Sequence, residues 1–150
     1  IGGRMSLPFT APYNASKFAM RALTDSMRIE LAPQGVSAVL IEPGSVDTNI
    51  WEKGISDAEA MVSRLTEDQK ARYATQIDGA LKAANFVAAH AFPAEKCAKV
   101  IEKALTARRP KGRYLVGNDA HVQAVIAAMP TPVIDSVTRV AVRQPRRKKA

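Results

Sequence analysis

Apolar positions recur at helical spacing near the start of the chain. From Asn14 to about Ala32 no proline or glycine interrupts, and good helix formers (alanine, leucine, methionine, arginine) are common. Met20, Leu23, Met27 and Leu31 make one stripe, and the small residues Ala15, Ala19, Ala22 and Ser26 make another. The spacing predicts a helix buried on more than one side, the small stripe permitting close approach of a second element. Pro33 and Gly35 stop it. The apolar, β-branched run Val36–Ile41, ended by Glu42-Pro43-Gly44, predicts a strand buried on both faces, as in a parallel sheet. A second strand is expected at Arg113–Val116, between Gly112 and Gly117. Two strands are too few for such a sheet, so the pattern predicts neighbours that this chain does not contain.

Between the strands the polar positions announce helices. Ser56-Asp57-Ala58-Glu59 and Thr66-Glu67-Asp68-Gln69 both match the capping-box pattern, so helices are expected to start there. A third is expected to begin at Pro93-Ala94-Glu95 and end before Pro110, with Cys97, Val100, Ile101, Ala104 and Leu105 on its apolar side. His121–Met129 reads as another amphipathic helix, interrupted by Pro130 and Pro132. An apolar stretch from Val133 to Val142 leads into the end of the chain. No internal repeat or interdomain linker is visible. The fold class is α/β.

Composition changes this picture in three places. With 47% hydrophobic and 24% charged residues the chain reads as soluble and globular, and no apolar run approaches the roughly 20 residues that span a bilayer. One cysteine, Cys97, excludes an internal disulfide and fits a reducing compartment, so a cytoplasmic protein is expected. Cys97, His90 and His121 are too widely spaced for a zinc site, so no metal is expected. The net charge of +8 is local: Arg143, Arg146, Arg147, Lys148 and Lys149 supply five charges, and no acid follows Asp135. The segment 143–150 is a basic tail rather than the face of a basic domain. It leaves open peripheral contact with anionic lipid. Nucleic acid is not expected as a partner, because no aromatics interleave the basic run.

The candidate chemistry lies at the start of the first helix. Tyr13 and Lys17 are four residues apart, which places both on one helical face. A tyrosine ordinarily titrates near pH 10, and a neighbouring ammonium stabilises its phenolate, which brings acid/base work within reach of neutral pH. The pair alone permits catalysis without demanding it.

Its surroundings are more specific. Tyr13-Asn14-Ala15-Ser16-Lys17, preceded by Gly2-Gly3 and Pro8-Phe9-Thr10-Ala11-Pro12, resembles the catalytic motif of the short-chain dehydrogenase/reductase family. The segment from Val39 to Thr48, with Glu42-Pro43-Gly44-Ser45-Val46-Asp47-Thr48 at its end, is similar to the family's strand and loop over the nicotinamide. Arg113–Gly117 resembles the final strand of the subset that includes steroid- and retinol-type dehydrogenases.

The resemblance covers nearly the whole chain. It implies the C-terminal half of a Rossmann-like, doubly wound parallel sheet, the dinucleotide-binding N-terminal half being absent. It implies an NAD- or NADP-dependent oxidoreductase that interconverts an alcohol and a carbonyl, and the apolar character of its covering region suits a lipophilic substrate. Tyr13 would exchange the proton with the substrate oxygen, and Lys17 would hold the nicotinamide ribose. Pro43 and Gly44 would shape the turn beside the nicotinamide. The backbone at Val46 would meet the carboxamide, with Thr48 near the carboxamide or pyrophosphate. Residues 49 to about 91 would cover the substrate, with Trp51 either lining that pocket or simply packing. The helix of Tyr13 would join a homo-oligomer.

Several family features are not found. The eight glycines contain no cluster suited to the pyrophosphate turn. The catalytic serine would precede Ile1, Ser6 does not replace it, and the structural asparagine is missing likewise. Together with the absence of an initiating methionine at Ile1, these features lead to the expectation of a fragment, inactive by itself. A non-catalytic remnant, or a membrane-binding module using the tail, are the alternatives.

Overall fold

A computed structural model describes residues 2–142. In chain order the elements are α1 (Ala11–Glu30), a 3₁₀ turn (Ala32–Gln34), β1 (Leu40–Pro43), α2 (Ile50–Ser63), α3 (Glu67–Ala89), α4 (Ala94–Thr106), β2 (Arg113–Val116), α5 (Asn118–Ile126) and α6 (Thr131–Ala141). They fall into two compact units. One holds the chain up to Val46 together with Phe92–Met129, and the other holds Asp47–Ala91 and the stretch from Pro130.

The first unit is α/β. Its β1 and β2 pair in parallel, Leu40 opposite Arg113 through Pro43 opposite Val116. β2 occupies the expected residues, whereas β1 begins at Leu40 rather than Val36. A strand begins where its partner does: Leu40 N–H donates to Gly112 O at 3.0 Å. Upstream of Gly112 the partner carries Pro110, which has no N–H to offer. Val36 is accordingly exposed. The unit's buried apolar side chains are Ala104 of α4, Val116 of β2 and Ala120 of α5, so its core lies where these three elements meet.

Helix α1 departs from expectation in the face it buries. Asn14 is its buried residue, and Lys17, Arg21, Thr24, Asp25 and Arg28 are half-buried along the same side. That side is polar because it meets charged and backbone partners: Arg21 donates to Gly3 O, and Asp25 pairs with both Arg28 and Arg113. Met20, Leu23 and Met27 stay exposed, Leu31 is half-buried, and the small stripe Ala15, Ala19, Ala22 and Ser26 is exposed. Among the described residues nothing covers either stripe fully. The helix ends at Glu30, and Gly35, at φ 75°, closes the following turn with its N–H on Ala32 O. A left-handed residue at this point favours glycine.

In the second unit Thr66 caps α3 as its sequence predicts: Thr66 Oγ1 accepts from Gln69 N, and Gln69 Oε1 accepts from Thr66 N. The other capping-box match fails, because Ser56 lies inside α2, which begins at Ile50. Pro130 and Pro132 separate α5 from α6, Pro132 standing in the first turn of α6 where a missing N–H is harmless. Among the described residues no helix is long and apolar enough to cross a membrane, and no cluster of His, Cys, Asp or Glu could hold a metal. The basic tail 143–150 lies outside the described residues.

Candidate active site

Tyr13 sits in the first turn of α1, its ring half exposed, and Lys17 follows one turn later. The Lys17 ammonium lies 5.3 Å from the Tyr13 ring centroid, within cation–π range. Among the described residues neither Lys17 Nζ nor the Tyr13 hydroxyl is engaged in a hydrogen bond or ion pair. The structure therefore presents a phenol and an ammonium side by side with their donors unspent.

The local chain explains how they are held. Ahead of the helix, Asn14 Nδ2 donates to Thr10 Oγ1 at 2.9 Å and to Leu7 O at 3.4 Å, tying the entry turn to the first helical turn. Gly2 and Gly3 lie close against that turn, Gly3 against backbone that leaves no room for a side chain and Gly2 in a tight contact with the Tyr13 ring. A Cβ on Gly3 would stand 2.8 Å from Lys17 O, and one on Gly2 would stand 3.0 Å from the Tyr13 ring. The next residue, Arg4, forks onto Glu42 of β1, with Nε on Oε1 at 2.8 Å and Nη2 on Oε2 at 2.6 Å. Glu42 is only 5% exposed, and a buried carboxylate needs such a partner. Its hydrogen bond also holds the Arg4 guanidinium above its ordinary pKa. The segment that carries Gly2 and Gly3 against Tyr13 and Lys17 is thereby pinned to the strand that leads into Pro43.

Pro43, Gly44 and Val46 lie together where β1 ends. Gly44 N–H donates to Val116 O at 2.9 Å, Ser45 N–H to Asp119 Oδ2 at 2.6 Å, and Phe92 N–H to Ser45 O at 2.9 Å. Val46 bridges in parallel to Phe92. Thr48 belongs to the second unit, exposed ahead of α2, where its carbonyl accepts Trp51 N–H at 3.3 Å. Trp51 is half-buried in the first turn of α2.

The motifs assign no role to three polar anchors: Asn14, the Arg4–Glu42 fork and Asp119. Glu42 did carry a signal, since a charge at the end of a strand expected to be buried must find a partner. The other singled-out residues are structural. Cys97 is half-buried and burial pushes its thiol pKa up, which disfavours the nucleophilic thiolate. His90 Nδ1 lies 2.7 Å from Phe86 O with its ring on Phe86, and His121 Nδ1 lies 2.8 Å from Gly117 O. A shallow depression of about 230 Å³, lined by residues such as Arg28, Val36, Ala38 and Gly112, lies at the C-terminal end of α1 rather than beside Tyr13.

The unspent donors of Lys17 and Tyr13 suit a ribose hydroxyl and a substrate oxygen, so these residues fit the nicotinamide end of a dinucleotide. No glycine-rich turn is present among the eight glycines to take the pyrophosphate. A parallel strand pair, a helix carrying Tyr-x-x-x-Lys and a strand that ends in Pro-Gly make the first unit an α/β unit.

Comparison with known proteins supplies the family. Residues 1–59 match the short chain dehydrogenase family model. The chain is 33% identical over 143 residues to a probable short-chain type dehydrogenase/reductase, VdlC, of Helicobacter pylori, covering 95% of this chain and 50% of that protein. It is 32% identical over 136 residues to the NADPH-dependent 3-dehydrocapnine reductase of Ornithobacterium rhinotracheale, covering 90% of this chain and 46% of the other. Over 64 residues, 43% of this chain and 20% of the relative, it is 44% identical to human 17-beta-hydroxysteroid dehydrogenase type 1. The chain belongs to the short-chain dehydrogenase/reductase family. It spans about half the length of the first two of these relatives.

Proposed function

We propose that this chain carries the catalytic part of an NAD- or NADP-dependent oxidoreductase that interconverts an alcohol and a carbonyl. The observation that carries the reading is the Tyr13–Lys17 pair, 5.3 Å apart from ammonium to ring centroid, with unspent donors on a helix entry fixed by Asn14, Gly2 and Gly3.

The nicotinamide, when bound, supplies or accepts the hydride. Everything else falls to the protein. In reduction Tyr13 Oη gives its proton to the substrate oxygen as that oxygen gains charge, and in oxidation it takes the proton back. Lys17 Nζ, beside the Tyr13 ring, would offset the charge left on the phenol oxygen and hold the ribose hydroxyls. Pro43 and Gly44 shape the turn beside the nicotinamide ring. The Val46 backbone would hold the carboxamide, and Thr48 would hold the carboxamide or pyrophosphate. Residues 49–91 cover the substrate, and their apolar content suits a lipophilic alcohol or carbonyl. The exposed stripes of α1 support a homo-oligomer, and the single cysteine supports a cytoplasmic setting. The isolated chain is inactive, because its sequence offers no turn for the pyrophosphate.

Lys17→Met in the complete protein tests the pair. The Kd for the nicotinamide cofactor should rise about tenfold, and kcat should fall on the order of a hundredfold or more. A variant with unchanged Kd and kcat would overturn the role given to Lys17.

A further inference from the structure

We infer that Asp119 is a positioning residue for the loop that receives the nicotinamide. This rests on the reading of the site given above and assigns a role to a residue outside its motifs.

As β1 runs out, Gly44 N–H takes the last carbonyl of β2, that of Val116. The next donor, Ser45 N–H, has passed the end of the ladder, and the Asp119 carboxylate of α5 takes it at 2.6 Å, a short bond to a charged acceptor. From the other side Phe92 N–H donates to Ser45 O, and Val46 bridges to Phe92. Ser45 is thus gripped at both its N–H and its C=O, between the two residues proposed to touch the nicotinamide.

Two glycine identities are spent on this one contact. A Cβ on Gly44 would overlap the Asp119 carboxylate, so only glycine lets the carboxylate approach the loop backbone. Gly117 stands at φ 98°, and a Cβ there would strike both Asp119 Oδ1 and the Phe92 ring. Asp119 itself lies in the first turn of α5, where backbone N–H groups favour a carboxylate. The three residues together fix the path of Gly44–Val46 before any ligand arrives.

The test compares ligands with and without a nicotinamide. In the complete protein, wild type, Asp119→Ala and Asp119→Asn are titrated with ADP-ribose (or its 2′-phosphate) and with whichever of NADH and NADPH wild type prefers. Asp119→Ala should raise the Kd for the dinucleotide about tenfold while leaving that for ADP-ribose unchanged. Amide exchange at Ser45 should accelerate in the cofactor-free variant. Asp119→Asn keeps an uncharged acceptor and should show a loss of about threefold, so it carries the test alone if the alanine variant does not fold. Unchanged dinucleotide affinity in both variants, or equal loss for both ligands, would overturn the proposal. A wild-type protein that bound ADP-ribose as tightly as the dinucleotide would overturn the reading of the site itself, and the role of Asp119 with it.

Discussion

The helix of Tyr13 and the end of strand β1 are built in opposite ways. α1 grips its own unit through a polar side, Asn14, Arg21 and Asp25, and leaves two apolar stripes uncovered. The end of β1 is closed on itself: Val116 and Ala120 are buried, and Gly44, Ser45 and Phe92 have their backbone donors placed. A helix held by polar contacts along one side, with most of its apolar surface exposed, has its hydrophobic stabilisation still to gain, since that term grows with the area removed from water. The lesson is that positions facing reaction partners can be set by hydrogen bonds within the unit, while stability of the same helix depends on surfaces outside it.

The largest effect should come from the link between the two regions. Arg4→Ala leaves Glu42 buried and unpaired, which costs about 3 kcal/mol. A denaturant midpoint that hardly moved would show that the two regions are not joined by this fork. Next comes a contrast of glycines. Gly117→Ala, at φ 98° and against Asp119 and Phe92, should cost about 1–3 kcal/mol. Gly54→Ala in α2, with open space around its Cβ, should stabilise by about 0.5–1 kcal/mol. Equal responses would deny that the strand end is the tightly specified region.

A smaller, pH-dependent effect belongs to α1. The hydrogen bond from Arg28, opposed by burial and reinforced by Arg113, holds the Asp25 carboxyl below its ordinary pKa. A depressed carboxylate contributes stability that is full above the ordinary aspartate value of about 3.9 and is lost as pH falls through the folded value. Asp25→Asn should therefore lower stability at neutral pH and flatten the acid limb of the melting temperature below about pH 4. A parallel acid limb in the variant would contradict the assignment. The smallest expected effect is that of the tail: deleting 143–150 should reduce flotation with anionic vesicles, and unchanged flotation would remove the case for lipid contact.

Much of this was legible in the sequence wherever the cause is local. The period of α1, the capping box at Thr66 and the strand Arg113–Val116 between two glycines all depend on neighbours in sequence, and each is found. The proximity of Tyr13 and Lys17 is of the same kind, fixed by one helical turn. What depends on a distant partner was not legible. The start of β1 is set by β2, the capping match at Ser56 is overridden by a helix already running from Ile50, and the buried side of α1 is chosen by Arg113 and Gly3. The fork Arg4–Glu42 and the bond Asp119–Ser45 join residues 38 and 74 positions apart, with no motif to announce either.

The central claim is that Tyr13 moves the proton. The measurement that tests it most directly is turnover by Tyr13→Phe in the complete protein, with cofactor affinity determined on the same sample. The kcat should fall on the order of a hundredfold to ten-thousandfold while the cofactor Kd stays close to that of wild type. Normal turnover in the phenylalanine variant would contradict it.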